Sequence, residues 1–212
     1  MKILGFLGSP RVNGKTAKLL KKALEGAESA GAETKRYDLI KCTIKFCMGC
    51  GTCFKKEPDL RFGKCPLNDD MAAILDEYIK ADGYIYASPS YDMYITALMK
   101  TFIERKIAFT YKGPDSAGKF PTPRPGVAVN FMKKASIIIT ANSVDEYESV
   151  MGDPCYEAVE ADHIWEQIDT VDKLYVGGAE SITDEEFARR QQKAYQMGIN
   201  IVDAIKKSRQ GQ

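Results

Sequence analysis

Short strand-like runs alternate with segments of helical period along this chain, and that alternation restricts the fold more than any other feature. Ile3–Leu7, Gly83–Ala87 and Ala135–Thr140 are continuous apolar runs, the pattern of strands buried on both faces. Glu33–Leu39 and Lys173–Gly177 read as two further strands. Between them, Lys15–Ala30 places Ala17, Leu20, Ala23, Leu24 and Ala27 on one side of a helix that Gly31 ends. A second helix runs through Met71, Ile74, Leu75 and Ile79, with Asp69 and Asp70 able to cap it. Ala97–Phe109, Tyr156–Ile168 and Asp184–Lys207 complete the helical set. Such an order predicts one α/β domain over residues 1–212, a five-stranded parallel sheet with helices on both faces in three layers. In these sheets ligands sit at the carboxyl ends of strands, near the point where the strand order reverses. Gly8–Thr16, Ser88–Thr96 and Ala141–Asp145 are therefore the loops to inspect.

The first of them, GSPRVNGKT, almost matches the phosphate loop of nucleotide triphosphatases. That motif has four residues between its first Gly and the Gly-Lys pair; here there are five, Ser9 to Asn13. Pro10 also removes an N–H that a backbone cradle would use. Ser9 and Thr16 instead offer hydroxyls, Arg11 a planar charged fork, and the helix opening near Lys15 its free N–H groups and dipole. The expectation is a compact site for one phosphate; an ordinary strand-to-helix turn is the plain alternative.

Composition removes several classes of function. The net charge is +1, from 30 basic and 29 acidic residues, so there is no electrostatic case for nucleic acid or an anionic membrane. No apolar run approaches the ~20 residues a membrane span needs, and MKILGFLGSP is too short and too interrupted for an export signal. A cytoplasmic location is expected. Lys112–Gly126, with four prolines and three glycines, is read as a long surface loop.

Four of the six cysteines crowd between positions 47 and 65, which suits a ligand cluster better than a disulfide scaffold. Cys47-x2-Cys50-x2-Cys53 puts three thiols within seven residues, with Gly49 and Gly51 easing the turn. Cys65, followed by Pro66, supplies a fourth. Three close cysteines plus a distant one favour iron–sulfur over zinc, which prefers two separated pairs. Thiols without metal remain the other reading, and Cys42 and Cys155 fit no pattern. His163, the only histidine, sits in an expected helix with no Ser or Cys partner in view and is read as non-catalytic, and Trp165 as a packing residue.

Together, GSPRVNGKT and SPSYDMYITALMKTFIER resemble the phosphate and flavin-ring segments of the flavodoxin-like NAD(P)H-dependent FMN reductases, and CMGCGTC followed by GKCPLNDDM is similar to the iron–sulfur flavoprotein branch. The resemblance implies a flavodoxin-like fold and an FMN phosphate held by Ser9, Arg11, Asn13, Lys15 and Thr16, Lys15 standing where the family usually has Asn. It implies a flavin ring wrapped by Pro89, Ser90, Tyr91, Asp92, Met93 and Tyr94, with Tyr91 or Tyr94 stacking on it. Thr140–Asn142 is a further flavin-contact candidate, though it lacks the glycines common in the family. A [4Fe-4S] cluster on Cys47, Cys50, Cys53 and Cys65 of the cysteine-rich loop 42–67 is implied too, with eleven residues, Phe54 to Lys64, where the family leaves only a few. No side chain need be catalytic, because the cofactors carry the chemistry. The implied partners are NAD(P)H, a ferredoxin-like protein or a quinone, and a second copy of the chain in a homodimer or homotetramer. A cluster-free NAD(P)H-dependent FMN or quinone reductase and a non-enzymatic electron carrier or metal-binding module remain alternatives.

Overall fold

The computed structural model describes residues 1–54, 65–110, 133–161, 163–166 and 168–210. The proline-rich loop 112–126 and residues 55–64 of the cysteine-loop insertion lie outside them. The strands are β1 (Lys2–Leu7), β2 (Glu33–Asp38), β3 (Gly83–Tyr91), β4 (Tyr94–Ile95), β5 (Lys133–Thr140) and β6 (Ile168–Val176). The helices are α1 (Lys15–Ser29), α2 (Met71–Lys80), α3 (Ala97–Thr110), α4 (Glu148–Met151), α5 (Asp153–Glu160), α6 (His163–Glu166) and α7 (Asp184–Gln210). Among the described residues no helix is long and apolar enough to cross a membrane.

Five strands pair in parallel in the order β2-β1-β3-β5-β6, and the two-residue β4 folds back antiparallel on the end of β3. Counted among the parallel strands this is the flavodoxin-like order, whose reversal falls between β1 and β3. The alternation of side chains along the strands divides the core in two. Ile3, Leu7, Ile85, Ile138 and Val176 meet α1 and α7 on one face. Leu4, Phe6, Tyr84, Tyr86, Ile137 and Ile139 meet α2, α3 and α5 on the other.

The end of α1 follows from Gly31, at φ +94. Gly31 N–H donates to Glu28 O and Ala32 N–H to Ala27 O, the paired bonds of a left-handed helix stop. On the same face α1 and α7 cross at backbone contact. A Cβ on Gly26 would lie 1.9 Å from Tyr195 O, and one on Gly198 would lie 1.9 Å from Ala23 O.

Several elements differ from expectation, β6 and β3 most clearly. β6 begins at Ile168, so the helix expected over Tyr156–Ile168 is confined to α5 and α6. β6 is a sheet edge, and Asp169, Thr170 and Asp172 break up the apolar signal of its first half; only Leu174–Val176 form a continuous apolar run. β3 runs on through Pro89 to Tyr91. Pairing with β1 stops at Ala87, so Pro89 falls where one side of the strand no longer needs ladder donors.

Candidate functional site

The loops after β1 and β3 meet at the reversal point and are joined by specific bonds. Gly8 N–H donates to Ala87 O at 2.8 Å, and Thr96 Oγ1 donates to Gly8 O at 2.6 Å. Gly8 is required there, since a Cβ would sit 2.8 Å from the Met99 Cβ.

Beside this junction a cavity of about 450 Å³ opens. Ser9, Arg11, Lys15 and Thr16 line it from the first loop, Pro89, Ser90 and Tyr91 from the second, and Thr140–Ser143 from the third. One end is the start of α1. Gly14 at its N-cap makes no side-chain bond to the first-turn amides, and the first turn holds no acidic side chain. Open amides and a positive dipole end therefore stand beside two buried hydroxyl residues, Ser9 and Thr16. The Ser9 hydroxyl accepts the Arg11 N–H at 3.1 Å, and the Thr16 hydroxyl lies 2.7 Å from that of Thr140. Lys15 has no ion-pair partner among the described residues; its ammonium lies 5.7 Å from the Phe187 ring centre. Arg11 is exposed and pairs with Glu180 at 3.4 Å.

Of the expected flavin contacts, Ser9, Arg11, Lys15, Thr16, Pro89, Ser90 and Tyr91 share this cavity, while Asn13, Asp92, Met93 and Tyr94 do not line it. Asp92 and Met93 form the turn between β3 and β4, both left-handed, at φ 51 and 59. That is the geometry of a tight hairpin turn, which normally takes Asn and Gly. Backbone strain of this kind is characteristic of ligand-clamping segments. The turn sets Tyr91 opposite Tyr94 and leaves Tyr91, Met93 and Tyr94 48%, 51% and 42% exposed. Phe46, Met48, Val144, Tyr147 and Val150 are exposed as well. Ala179 and Glu180, after β6, line the cavity without having been anticipated. The rule that loops follow strand ends would have found them, since Gly177–Gly178 marks that end in the sequence.

Tyr94 and Cys47 line a second cavity, of about 550 Å³, between α3, α5 and the cysteine loop. Gly49 and Gly51 are left-handed at φ 62 and 67, as a tight Cys-x2-Cys-x2-Cys turn demands. Cys47 and Cys50 are exposed, Cys53 and Cys65 half-buried. Burial raises the Cys53 thiol above its ordinary range, and the nearby Cys65, Cys47 and Cys50 add to that. Among the described residues, no three His, Cys, Asp or Glu side chains are grouped to hold a metal ion. The donor set, four soft thiols, nevertheless fits iron–sulfur chemistry. Cys42 donates to Asp38 O at 3.5 Å, and Cys155 is buried and donates to Met151 O at 3.3 Å.

On the α2–α3 face is a buried polar network that the sequence did not signal. Lys106 and Glu166, almost fully buried, pair at 2.7 Å. The Tyr78 hydroxyl bonds Glu166 at 2.5 Å and lies 2.6 Å from that of Tyr86. His163 packs nearby, its Nδ1 3.2 Å from Thr170 Oγ1. Burial, aided by the charges of Lys106 and Lys173, pushes its pKa down to about 3.

Residues 1–120, which include both flavin-loop motifs and all four clustered cysteines, match the family model described as NADPH-dependent FMN reductase. The chain belongs to that family. It is 38% identical over 120 residues to an iron-sulfur flavoprotein of Archaeoglobus fulgidus, covering 57% of this chain and 51% of the relative. It is 38% identical over 105 residues to one of Methanocaldococcus jannaschii, covering 50% and 51%. The chain thus spans about half the length of the curated relatives it matches. Among solved structures, an NAD(P)H:quinone oxidoreductase from Methanothermobacter marburgensis superposes with a TM-score of 0.70 at 16% identity, over 95% of this chain and 98% of that one. A flavone reductase superposes with a TM-score of 0.66 at 24% identity, over 100% and 65%. At these identities the likeness establishes the flavodoxin-like fold alone.

Proposed function

We propose that this chain is an FMN-dependent oxidoreductase that also carries a [4Fe-4S] cluster, moving electrons between an NAD(P)H-type donor and one-electron partners such as a ferredoxin-like protein, or a quinone. The observation that carries this reading is the placing of the β3–β4 hairpin. Its Tyr91 lines the cavity that ends at the opening of α1, and its partner Tyr94 lines the neighbouring cavity with Cys47. A flavin with its phosphate at α1 would then have its ring end beside the cysteine turn.

FMN supplies hydride acceptance and one-electron release when bound, and the cluster exchanges single electrons. Ser9, Lys15, Thr16 and the first-turn amides of α1 hold the phosphate. Pro89–Tyr91, with Thr140–Ser143 opposite, orient the ring and exclude water from it. Cys47, Cys50, Cys53 and Cys65 hold the iron. A second copy of the chain covers the exposed tyrosines and methionines at this end of the sheet. A cluster-free reductase is the second reading, favoured by the absence of a closed metal-holding group among the described residues.

The test is purification without oxygen, followed by flavin, iron and sulfide analysis and light scattering on the same sample. The expected result is about one FMN, four irons and four sulfides per chain in a dimer or larger particle. FMN without iron would select the cluster-free reductase. No flavin after FMN is added back would overturn both readings, and a monomer would overturn the second-copy assignment.

A further inference from the structure

The sequence leaves open how Cys65 reaches the other three cysteines across an eleven-residue insertion. The structure meets that question with one buried side chain. Arg105 of α3 and Asp69, ahead of α2, are 2% and 0% exposed and form a forked pair. Arg105 Nη1 donates to Asp69 Oδ2 at 2.5 Å, and Nη2 donates to Oδ1 at 3.1 Å. The remaining bonds reach both ends of the cysteine segment. Nη1 also donates to Lys45 O at 2.8 Å, two residues before Cys47, and Nη2 to the Cys65 Sγ at 3.6 Å. Asp69 in turn accepts the N–H of Lys45 at 3.0 Å and that of Met71 at 3.1 Å. Arg105 Nε is buried with no partner among the described residues, a further donor on the same group.

We infer that Arg105 is the positioning residue that brings Cys65 to the Cys47–Cys53 turn and hydrogen-bonds its sulfur as a ligand of the iron–sulfur cluster, an inference that rests on the function proposed above. A guanidinium suits this place because its five donors lie in one rigid plane. Two engage the carboxylate, and others remain for a carbonyl and a sulfur. Lysine, with a single nitrogen, cannot span the three acceptors in that geometry. Donors to ligand sulfurs also stabilise the extra negative charge of a reduced cluster, so their loss lowers its reduction potential.

The test compares the full chain with Arg105→Lys, which keeps a cation beside Asp69, and Arg105→Gln. Each is reconstituted with FMN, iron and sulfide without oxygen. Both variants should keep FMN, which shows that they fold, and should hold iron about 10–100-fold more weakly. The cluster they retain should have a lower midpoint potential than the wild type, which loss of packing alone would not produce. Equal iron retention at an equal potential in all three proteins would overturn the inference. If the wild type takes up no iron, the proposed function fails, and the positioning is then read on the metal-free protein with a short thiol–thiol cross-linker. Cross-links from Cys65 to Cys47, Cys50 or Cys53 should form in the wild type and decline in Arg105→Gln; equal yields would overturn it.

Discussion

Thr16 occupies the one position where the fold and the proposed ligand ask for the same hydroxyl. It is buried at the first turn of α1, bonded to Thr140 across the cavity, with open amides around it. Thr16→Val keeps the shape and removes the bond. A hydrogen bond to a charged group contributes about 1.5–3 kcal/mol, so FMN affinity measured by fluorescence quenching should fall about tenfold or more. Unchanged affinity in a folded variant would move the phosphate elsewhere. His163 gives a prediction of a different kind. Its folded-state pKa is held near 3 by burial and by Lys106 and Lys173, below the ~6.5 of an unfolded chain. Between those values the unfolded state binds the extra proton, so this contribution to stability is present above about pH 6.5 and declines as the pH falls towards 3. Urea unfolding at pH 7 and pH 5 should show the wild type losing about 2 kcal/mol more than His163→Gln. Equal losses would contradict a buried neutral imidazole.

Among the elements, the α1–α7 pair depends on Gly26 and Gly198, where each helix lies against the other's backbone. Gly198→Ala would set a methyl 1.9 Å from Ala23 O, and the helices would have to separate. Overpacking of that kind costs about 1–3 kcal/mol, measurable by urea unfolding; an unchanged midpoint would refute so close a crossing. A sequence shows the glycines but not the approach that needs them. The same limit explains β6. Leu174–Val176 advertised a strand, but its first half earns its place by pairing at an edge, through mostly polar residues with no clear period to read. The β3–β4 hairpin was missed because Met93, left-handed beside Asp92, is not turn chemistry that sequence rules favour.

At the scale of the molecule, the apolar strands and their alternation with helices were enough to place three loops at one end of the sheet, and those loops do share a cavity. What could not be read in advance were contacts between residues far apart in sequence. The Lys106–Glu166 pair and the Arg105–Asp69 fork join positions sixty and thirty-six apart. No local pattern marks them, because each side chain reads alone as an ordinary surface charge. The proposed function requires a flavin and a cluster to work in one chain. Its most direct measurement is the electron uptake of the anaerobically purified protein, titrated with a calibrated reductant and followed by visible and EPR spectra. About three electrons per chain are expected, two for the flavin and one for the cluster, with the iron–sulfur EPR signal lost in Cys65→Ala while flavin bleaching persists. Uptake of about two electrons with no such signal in the wild type would contradict it.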